Sequence, residues 1–451
     1  MLFDKNKHLR ISEFQAVVLA GYGSSNRYLE SLYPVAEDDN VPKALLPVGN
    51  KPIISYTLDW LEKAGVHDAI VLIQASGNAP QKLSAYLARG YTGNLHCTVV
   101  SVPEDSGTAD ALRSVSDKID KDFIVVPCDL LTELNPRELL DLHRVRNPTV
   151  TALFYAPSTS EANADDLLPY VGIDPTRQAL VYKAARADDE DFSIRMSLLH
   201  KFARVQVHTD LQDAHLYIFK KWVLDMVVDK ENISSISEDL IPMLVKCQYQ
   251  KKLVDRESVD TYAAKAPNLL ATALSLSTTL SDVTDDDLSA FDPMQPHFKS
   301  PVTTHVYVYR GGFCGRGNTI ASYSELNRHA TKQGASVMRV PQSAEVAPKT
   351  QVGNDSIIGE YTKIDERSSV KKSCVGAHCV IGKNVKVANS VIMDHVVIGD
   401  NAKVDGCVIC NNAKVLEKSS LKDCEVAGEY IVEKESQIKG EKLVAFREAI
   451  E

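Results

Sequence analysis

The sequence has no long hydrophobic run. No stretch reaches the roughly 18 apolar residues needed to cross a membrane, and the opening Met-Leu-Phe-Asp-Lys-Asn-Lys-His lacks the apolar region of a signal peptide. The phosphate-binding pattern Gly-x-x-x-x-Gly-Lys-Ser/Thr is also absent, and no Ser-His-Asp or Cys-His set is apparent. We therefore expect neither a membrane protein, nor a P-loop NTPase, nor a hydrolase with a catalytic triad.

The cysteines and the net charge indicate the cell compartment of the protein and argue against one kind of partner. The nine cysteines have no framework spacing, which suits a reducing cytosol, and the single Cys-x-x-Cys, Cys407 and Cys410, has no second pair to complete a zinc site. A net charge of −10 argues against direct, non-specific binding to nucleic acid. We expect a cytosolic protein, and 451 residues of ordinary globular composition suggest about three domains.

Strand and helix patterns alternate through the first half of the chain. Strands are predicted at residues 16–20, 69–73, 95–102, 123–128, 149–155 and 214–219, and helices at 53–63, 79–87, 109–117, 139–144 and 220–228. This alternation predicts an α/β, Rossmann-like domain with a mostly parallel sheet and a ligand crevice at the carboxyl ends of its strands. Gly21 and Asp129 both fall at such ends.

A glycine-rich turn, Gly21-Tyr-Gly-Ser-Ser-Asn-Arg27, follows the first strand. Glycines let backbone N–H groups approach phosphates closely, and Lys43 adds a cation. This opening resembles the sugar-1-phosphate nucleotidyltransferases, which join a sugar phosphate to an NTP and release pyrophosphate. The resemblance implies a nucleotide pocket, with Gly107 and Thr108 near the base and Asp129 on magnesium, formed by Gly21, Gly23, Arg27, Lys43, Gly107, Thr108 and Asp129.

The glycine-rich turn departs from the family pattern. Arg27 sits one place late, and the lengthened loop carries Glu37, Asp38 and Asp39 just before Pro42-Lys43. Each carboxylate beside a triphosphate opposes binding by about 1 kcal/mol at 4 Å in water, unless it points into solvent. The loop therefore favours a degenerate pocket without catalytic residues.

The metal site of the family is also incomplete. Asp213 and Asp239 are candidate second ligands by position only, and Asp239, in Ser-Glu-Asp-Leu-Ile-Pro, better suits a helix start. Lys43 is as plausibly a surface cation, and Gly107-Thr108 a helix N-terminus with a threonine cap. We predict no bound metal, no cofactor and no pyrophosphorylase activity.

The composition changes after residue 265. Serine, threonine and aspartate dominate residues 266–300, with an acidic run from Asp282 to Asp287, which predicts a linker. A strand at 306–309 and a helix at 320–330 are predicted next.

From residue 352 onward, apolar residues recur in three columns with a period of 17. The columns are Ile358, Val375, Ile392, Ile409 and Val426; Ile364, Ile381, Ile398, Val415 and Val432; and Val370, Val387, Val404, Leu421 and Ile438. A three-sided coil with one inward residue on each side explains them, so we predict a left-handed parallel β-helix of hexapeptide type. Glycines such as Gly359 and Gly376 are expected at its turns, and Cys407 as a packed wall residue.

The predicted organisation has five parts. They are a catalytically degenerate nucleotidyltransferase-like domain (12–265), an acidic linker (266–300), a bridging strand and helix (301–345), the β-helix (346–440) and a tail (441–451).

Several segments along nearly the whole chain resemble the family of gamma subunits of eukaryotic translation initiation factor 2B. The most specific are Asp213-Ala-His-Leu-Tyr217 and Val408-Ile-Cys-Asn-Asn-Ala413; the others include Pro47-Val-Gly-Asn-Lys-Pro52, Cys128-Asp-Leu-Leu and Asp239-Leu-Ile-Pro. The resemblance implies a subunit of the guanine-nucleotide exchange factor for translation initiation factor 2. Its implied partners are the epsilon subunit directly, the alpha, beta and delta subunits in a decamer, and initiation factor 2 itself, including its phosphorylated form.

The related epsilon subunit adds a catalytic helical-repeat domain after its β-helix, whereas only 13 residues follow Ile438 here. A non-catalytic, regulatory and structural role is therefore expected. Two alternatives remain: an active nucleotidyltransferase of the GDP-mannose or ADP-glucose pyrophosphorylase type, and an inactive regulatory subunit of a pyrophosphorylase.

Overall fold

The structure, a computed structural model, describes residues 13–21, 32–36, 40–157, 168–184, 194–265, 300–333 and 339–444. The predicted residues Gly23, Arg27 and Glu37 to Asp39 lie outside these ranges, as do nearly all of the acidic linker (266–299) and most of the tail (445–451). No helix in the described part of the chain is long and apolar enough to span a bilayer.

The first unit is built on a ten-stranded sheet with the order β11-β9-β10-β13-β8-β12-β6-β1-β4-β5. The strands are β1 Gln15–Leu19, β4 Asp68–Gln74, β5 His96–Val102, β6 Phe123–Pro127, β8 Val150–Tyr155, β9 Tyr170–Asp174, β10 Ala179–Ala184, β11 Gln206–His208, β12 Gln212–Phe219 and β13 Thr304–Tyr309. Two short ribbons accompany it, formed by β2 Pro47–Val48 with β3 Lys51–Pro52, and by β7 Leu130–Thr132 with β14 Cys314–Arg316.

Helices cover both faces of this sheet. They are α1 Ile53–Lys63, α2 Ala79–Arg89, α3 Thr108–Arg113, α4 Pro136–Arg146, α5 Met196–Lys201, α6 Lys221–Asp229, α7 Ile241–Cys247, α8 Lys251–Arg256, α9 Val259–Lys265 and α10 Ile320–Gln333. One hydrophobic core lies on each face of the sheet, and strands such as β6 are buried on both faces. Burial on both faces explains why these strands are continuous apolar runs.

The α/β class is confirmed, with some local differences. The strands that position the candidate site, β6-β1-β4-β5, are parallel, whereas β9 to β12 form antiparallel pairs. The strands β9, β10 and β11 were not predicted. The helix expected over 109–117 ends at Arg113, and a separate 3₁₀ turn, Ser116–Lys118, follows it.

The second unit is the predicted left-handed β-helix, made of three six-stranded parallel sheets. Its strands are β15 Glu345–Val346, β16 Gln351–Val352, β17 Ile357–Ile358, β18 Lys363–Ile364, β19 Ser369–Lys371, β20 Cys374–Val375, β21 Val380–Ile381, β22 Lys386–Ala388, β23 Val391–Ile392, β24 Val397–Ile398, β25 Lys403–Asp405, β26 Val408–Ile409, β27 Lys414–Val415, β28 Ser420–Lys422, β29 Glu425–Val426, β30 Ile431–Val432, β31 Gln437–Lys439 and β32 Lys442–Leu443.

The three predicted columns line its core. Every member is buried except Ile438, which is partly buried against the same cluster. Strand pairing confirms the 17-residue register, as in Ile381 opposite Ile398, while the first coil is one residue longer, with Val352 opposite Val370. Leu443 extends the first column by one coil beyond the prediction.

The predicted glycines lie in the turns between strands, as expected, but they do not supply the left-handed backbone of the corners. The left-handed backbone falls two residues after the predicted glycines, at His378 (φ 55°) and its 17-residue equivalents. Gly359 is needed for a different reason: a Cβ there would lie 2.3 Å from the carbonyl carbon of Gly376 on the next coil. Coil stacking, rather than positive φ, therefore explains the glycine at this position.

Each side of the β-helix presents a different surface. We call the outer surface of β17, β20, β23, β26, β29 and β32 the docked face, because Val391, Met393, Val408 and Cys410 pack there against Leu32, Val35, Val41, Tyr323 and Leu326. The outer surface of β15, β18, β21, β24, β27 and β30 is the apolar face, and that of β16, β19, β22, β25, β28 and β31 is the lysine face.

Candidate functional site

Two predicted site residues lie at adjacent strand ends. Gly21 follows β1 and Asp129 follows β6, and these parallel strands pair with Leu19 opposite Pro127. The backbone N–H of Cys128 donates to the carbonyl oxygen of Leu19 at 2.9 Å, which fixes the two ends together. Lys43 reaches this edge from a 3₁₀ turn, Lys43–Leu45.

Asp129 lies at the centre of a buried ion cluster. Lys43 Nζ is 2.8 Å from Asp129 Oδ2, and Arg316 Nε donates to Asp129 Oδ1 at 3.2 Å. Asn318 Oδ1 accepts a bond from Lys43 Nζ at 2.6 Å. We call Asp129, Lys43, Arg316 and Asn318 the Asp129 cluster. Lys43 is therefore a buried partner of Asp129, and the surface alternative is wrong.

The electrostatics of this cluster keep the carboxylate ionised. Burial alone would raise the pKa of Asp129, but the charges of Arg316 and Lys43 outweigh it and hold that pKa well below its usual value. Neither oxygen of this fully buried carboxylate is available without breaking an ion pair.

The same geometry does not fit magnesium. Mg²⁺ needs oxygen ligands and would have to approach Asp129 against two resident cations. Asp213, the other candidate ligand, has its own partners: Lys183, the Tyr217 hydroxyl and the His215 backbone N–H, the last at 2.8 Å. Among the described residues, no group of three or more His, Cys, Asp or Glu side chains is arranged to hold a metal ion.

Asp239 is a helix-start residue. Its Oδ2 accepts bonds from the backbone N–H groups of Ser234 at 3.0 Å and Ser235 at 2.8 Å, next to the π-helical turn Ile236–Leu240. This carboxylate therefore satisfies N–H groups that the turn leaves unpaired.

The other predicted site residues that the structure describes meet in a small pocket. Gly21, Gly107 and Thr108 line a cavity of about 40 Å³ with Gln74 and Val102 among their neighbours, room for no more than a few water molecules. Gly107 is required here, because a Cβ would lie 2.3 Å from the carbonyl oxygen of Ser234.

Thr108 is not the cap that the sequence suggested. Gly107 occupies the N-cap position of α3, and the Thr108 hydroxyl accepts a bond from the backbone N–H of Ile236 at 2.9 Å. Asp110 Oδ2 accepts from the Gly107 N–H at 3.0 Å, and the Ala109 N–H donates to the Ser234 carbonyl at 2.8 Å. These groups are thus committed to the protein's own backbone and side chains.

Sequence reasoning missed Arg316, Asn318 and Lys183. Arg316 is the last residue of β14, and Asn318 follows it after Gly317. The available signal was a charged and a polar residue alternating with buried ones. The separation of 187 positions between Arg316 and Asp129 hid their pairing. Lys183 was hidden in the same way, 30 positions from Asp213.

The described parts of the lengthened loop also have a role that was not foreseen. Leu32, Val35 and Val41 are buried against the docked face. Beyond the loop, between β2 and β3, Asn50 Nδ2 donates to the Val375 carbonyl at 2.8 Å. This segment therefore joins the two units.

Comparisons with known proteins agree with this architecture. A nucleotidyl transferase family model matches residues 15–164, and a model described as the EIF2B subunit epsilon LbH domain matches residues 338–439. The chain is 37% identical over 368 residues to translation initiation factor eIF2B subunit gamma of Schizosaccharomyces pombe, covering 79% of this chain and 74% of the relative.

Further relatives carry the same or a related name. Subunit gamma of Dictyostelium discoideum is 30% identical over 81% of this chain and 87% of its own length. Subunit epsilon of the same organism is 28% identical over 44% of this chain and 29% of its own length. The similarity to gamma chains therefore extends over both units.

Proposed function

The chain belongs to the gamma-subunit family of translation initiation factor eIF2B, and we propose that it serves that complex as an accessory subunit without catalytic activity of its own. It supports GDP–GTP exchange on translation initiation factor 2 by orienting the epsilon subunit or by adding contact surface for the GTPase. The single observation that carries the non-catalytic assignment is the Asp129 cluster.

A nucleotidyltransferase needs a free carboxylate to hold the metal that accompanies the triphosphate. Here Lys43 and Arg316 neutralise Asp129 inside the protein, and Lys183 does the same for Asp213. A transferase of the GDP-mannose or ADP-glucose pyrophosphorylase type is therefore disfavoured, because it would have to break these buried pairs on every turnover.

The proposed direct partner is the epsilon subunit. Relatives with that name match part of this chain, and the β-helix matches an epsilon family model. We assign the contact to the apolar face, where Val380 lies directly opposite Val397, and Ile431 follows one coil beyond Lys414. These three apolar residues expose 42%, 39% and 53% of their surface. Exposed apolar side chains grouped on a rigid sheet are typical of a protein interface.

The wider assembly belongs to the same proposal. The alpha, beta and delta subunits would complete a decamer, and initiation factor 2, including its phosphorylated form, would be the substrate that the complex binds. The complex would work in the cytosol, where its substrate is used. Broad rigid surfaces, such as those of the β-helix, suit a subunit that positions several neighbours.

The test of function is GDP release from translation initiation factor 2. Release is measured with epsilon alone, with this chain alone and with both. We expect no release by this chain alone, and faster release or tighter GTPase binding for the mixture than for epsilon alone. Release by this chain alone, or a stable complex without any gain, would contradict the assigned role.

A second assay addresses the alternative activity. The full chain is incubated with Mg²⁺, each common NTP and a panel of sugar-1-phosphates, and pyrophosphate is measured. We expect no release above background. Saturable turnover that Asp129→Ala abolishes would establish a transferase instead.

The interface assignment has its own variant. Val397→Asp places a charge on the apolar face without touching the β-helix core. It should weaken epsilon binding, whereas Lys386→Asp on the lysine face should not. Equal binding by wild type and Val397→Asp would place the epsilon contact elsewhere.

A further inference from the structure

The lysine face of the β-helix carries an unusual charge. Five of its six strands, β19, β22, β25, β28 and β31, turn ten residues outward in two registered columns: Ser369, Lys386, Lys403, Ser420 and Gln437, and Lys371, Ala388, Asp405, Lys422 and Lys439. Five of these are lysines, all exposed, and one is an acid. This positive face belongs to a chain whose net charge is −10.

The strand register places like charges side by side. Lys386 is directly opposite Lys403, and Lys422 is directly opposite Lys439. Neighbouring coils in a parallel sheet are about 4.8 Å apart, and like charges in register destabilise a sheet. These pairs of like charges therefore lower the stability of the β-helix in the free chain.

Elsewhere on the same β-helix, neighbouring coils place opposite charges beside each other. Lys418 pairs with Glu435 at 2.8 Å, and Lys442 pairs with Glu425 at 3.4 Å, each across one coil. None of the five lysines of the lysine face forms an ion pair within the described part of the chain. Asp405, the acid on this face, accepts a bond from Asn389 Nδ2 at 3.2 Å.

We propose that the lysine face is a docking surface for an extended acidic segment of a protein partner. Charge complementarity identifies the occupant: a row of carboxylates would relieve the repulsion between Lys386 and Lys403 and between Lys422 and Lys439. Five coils span about 19 Å, which matches about six residues of extended chain. The lysine face is a different surface from the apolar face assigned to epsilon.

The composition of the face favours an acidic peptide over nucleic acid. Its outward columns contain no aromatic side chain on which bases could stack and no arginine for bidentate contacts to phosphate. The overall negative charge of the chain also opposes a long polyanion.

The experiment uses the full chain and a fluorescein-labelled deca-glutamate peptide, followed by fluorescence anisotropy at about 50 and about 200 mM salt. Binding should be saturable and should weaken as salt rises. The variant Lys386→Glu/Lys403→Glu should bind the peptide at least about tenfold more weakly. Deca-glutamine should not bind at either salt concentration.

The matched control reverses two exposed lysines elsewhere on the β-helix. Lys414→Glu/Lys434→Glu makes the same change in net charge and should alter peptide affinity by less than about twofold. Thermal melts verify that both variants fold. Equal weakening by the two double variants, or no binding by wild type at the lower salt, would overturn the proposal. Tighter binding of a single-stranded RNA through Lys386 and Lys403 would overturn it as well, in favour of a nucleic-acid surface.

Discussion

The two units of this protein bury their polar groups in opposite ways. In the β-helix, the Ser373 hydroxyl accepts a bond from the Ser390 N–H, and the Ser390 hydroxyl accepts one from the Cys407 N–H, both at 3.2 Å and both 17 positions apart. In the first unit, the Asp129 carboxylate has partners that do not recur along the chain: it pairs with Lys43 and with Arg316, which is 187 positions away. One unit repeats a local contact, and the other depends on a single long-range cluster.

This difference has consequences for mutation. Each coil of a solenoid packs only on its neighbours, so an inward residue supports the coils on either side of it. A buried ion cluster has no equivalent neighbour, and removal of one member leaves an uncompensated charge. Damage should therefore spread along the β-helix but remain concentrated at one point in the first unit.

The largest effect is expected from a charge placed inside the β-helix. Ile398→Asp buries an unpaired carboxylate in the second column and should lower the free energy of unfolding by more than about 5 kcal/mol. Urea unfolding followed by circular dichroism measures the loss. The matched control is Val397→Asp, one residue away on the outer surface, which should cost less than about 1 kcal/mol. Similar losses would mean that the inward and outward positions are misassigned.

The next effect tests the Asp129 cluster. Asp129→Asn leaves Lys43 and Arg316 buried without their counter-charge and should cost about 3 to 5 kcal/mol in the same unfolding experiment. The triple variant Lys43→Met/Asp129→Leu/Arg316→Met removes all three charges together and should recover most of that loss. If the triple variant is less stable than Asp129→Asn, burial of charge is not the origin of the effect.

Periodicity explains which parts of this fold the sequence could predict. The inward positions of the β-helix repeat, so Ile358, Val375 and Ile392 identify one another, and the strand pairing confirms them. Strong apolar runs likewise located β1, β4 and β6. Both signals are local and need no knowledge of the rest of the chain.

The candidate site could be predicted only in part, because its contacts join residues that are far apart in the sequence. A resemblance placed Asp129 and Gly107 near a pocket, but nothing local connects Lys43 with Asn318, 275 positions later. The sequence also did not identify which turn residues are left-handed, because glycine is only one of the residues that occupy these positions; His378, Asn384 and Asn389 do so as well.

A smaller effect should appear as acid sensitivity of the first unit. Burial is the main cause that lowers the pKa of His143 from 6.5 to about 4, and its ring Nδ1 lies 2.8 Å from the Thr151 hydroxyl. The unfolded chain therefore binds a proton that the folded chain refuses between these pH values. This histidine should cost nothing above pH 6.5 and about 2 kcal/mol of stability by about pH 5.

The measurement is urea unfolding of wild type and His143→Gln between about pH 7 and about pH 5. Stability of the wild type should fall as the pH falls, and the variant should show a shallower decline, with about one proton fewer taken up on unfolding. His305, whose pKa burial also lowers to about 4, supplies part of the remaining slope. Parallel pH profiles for the two proteins would show that His143 does not titrate in this way.

The smallest effect comes from the same substitution made once in each unit. Cys407→Ser places a hydroxyl in a column where Ser373 and Ser390 already occupy the preceding coils, each donating to the carbonyl two residues before it. Cys407 Sγ lies 3.3 Å from the Asp405 carbonyl, so a serine there finds the same acceptor and should change stability by less than about 0.5 kcal/mol. Cys128, at the end of β6, has no repeated serine neighbours, and its side chain is buried in the apolar core. Cys128→Ser should therefore lower the free energy of unfolding by about 1 to 2 kcal/mol. Urea unfolding of the two variants measures both losses of free energy. Equal losses would show that the repeated environment of the β-helix does not let serine replace cysteine at Cys407 without a loss of stability.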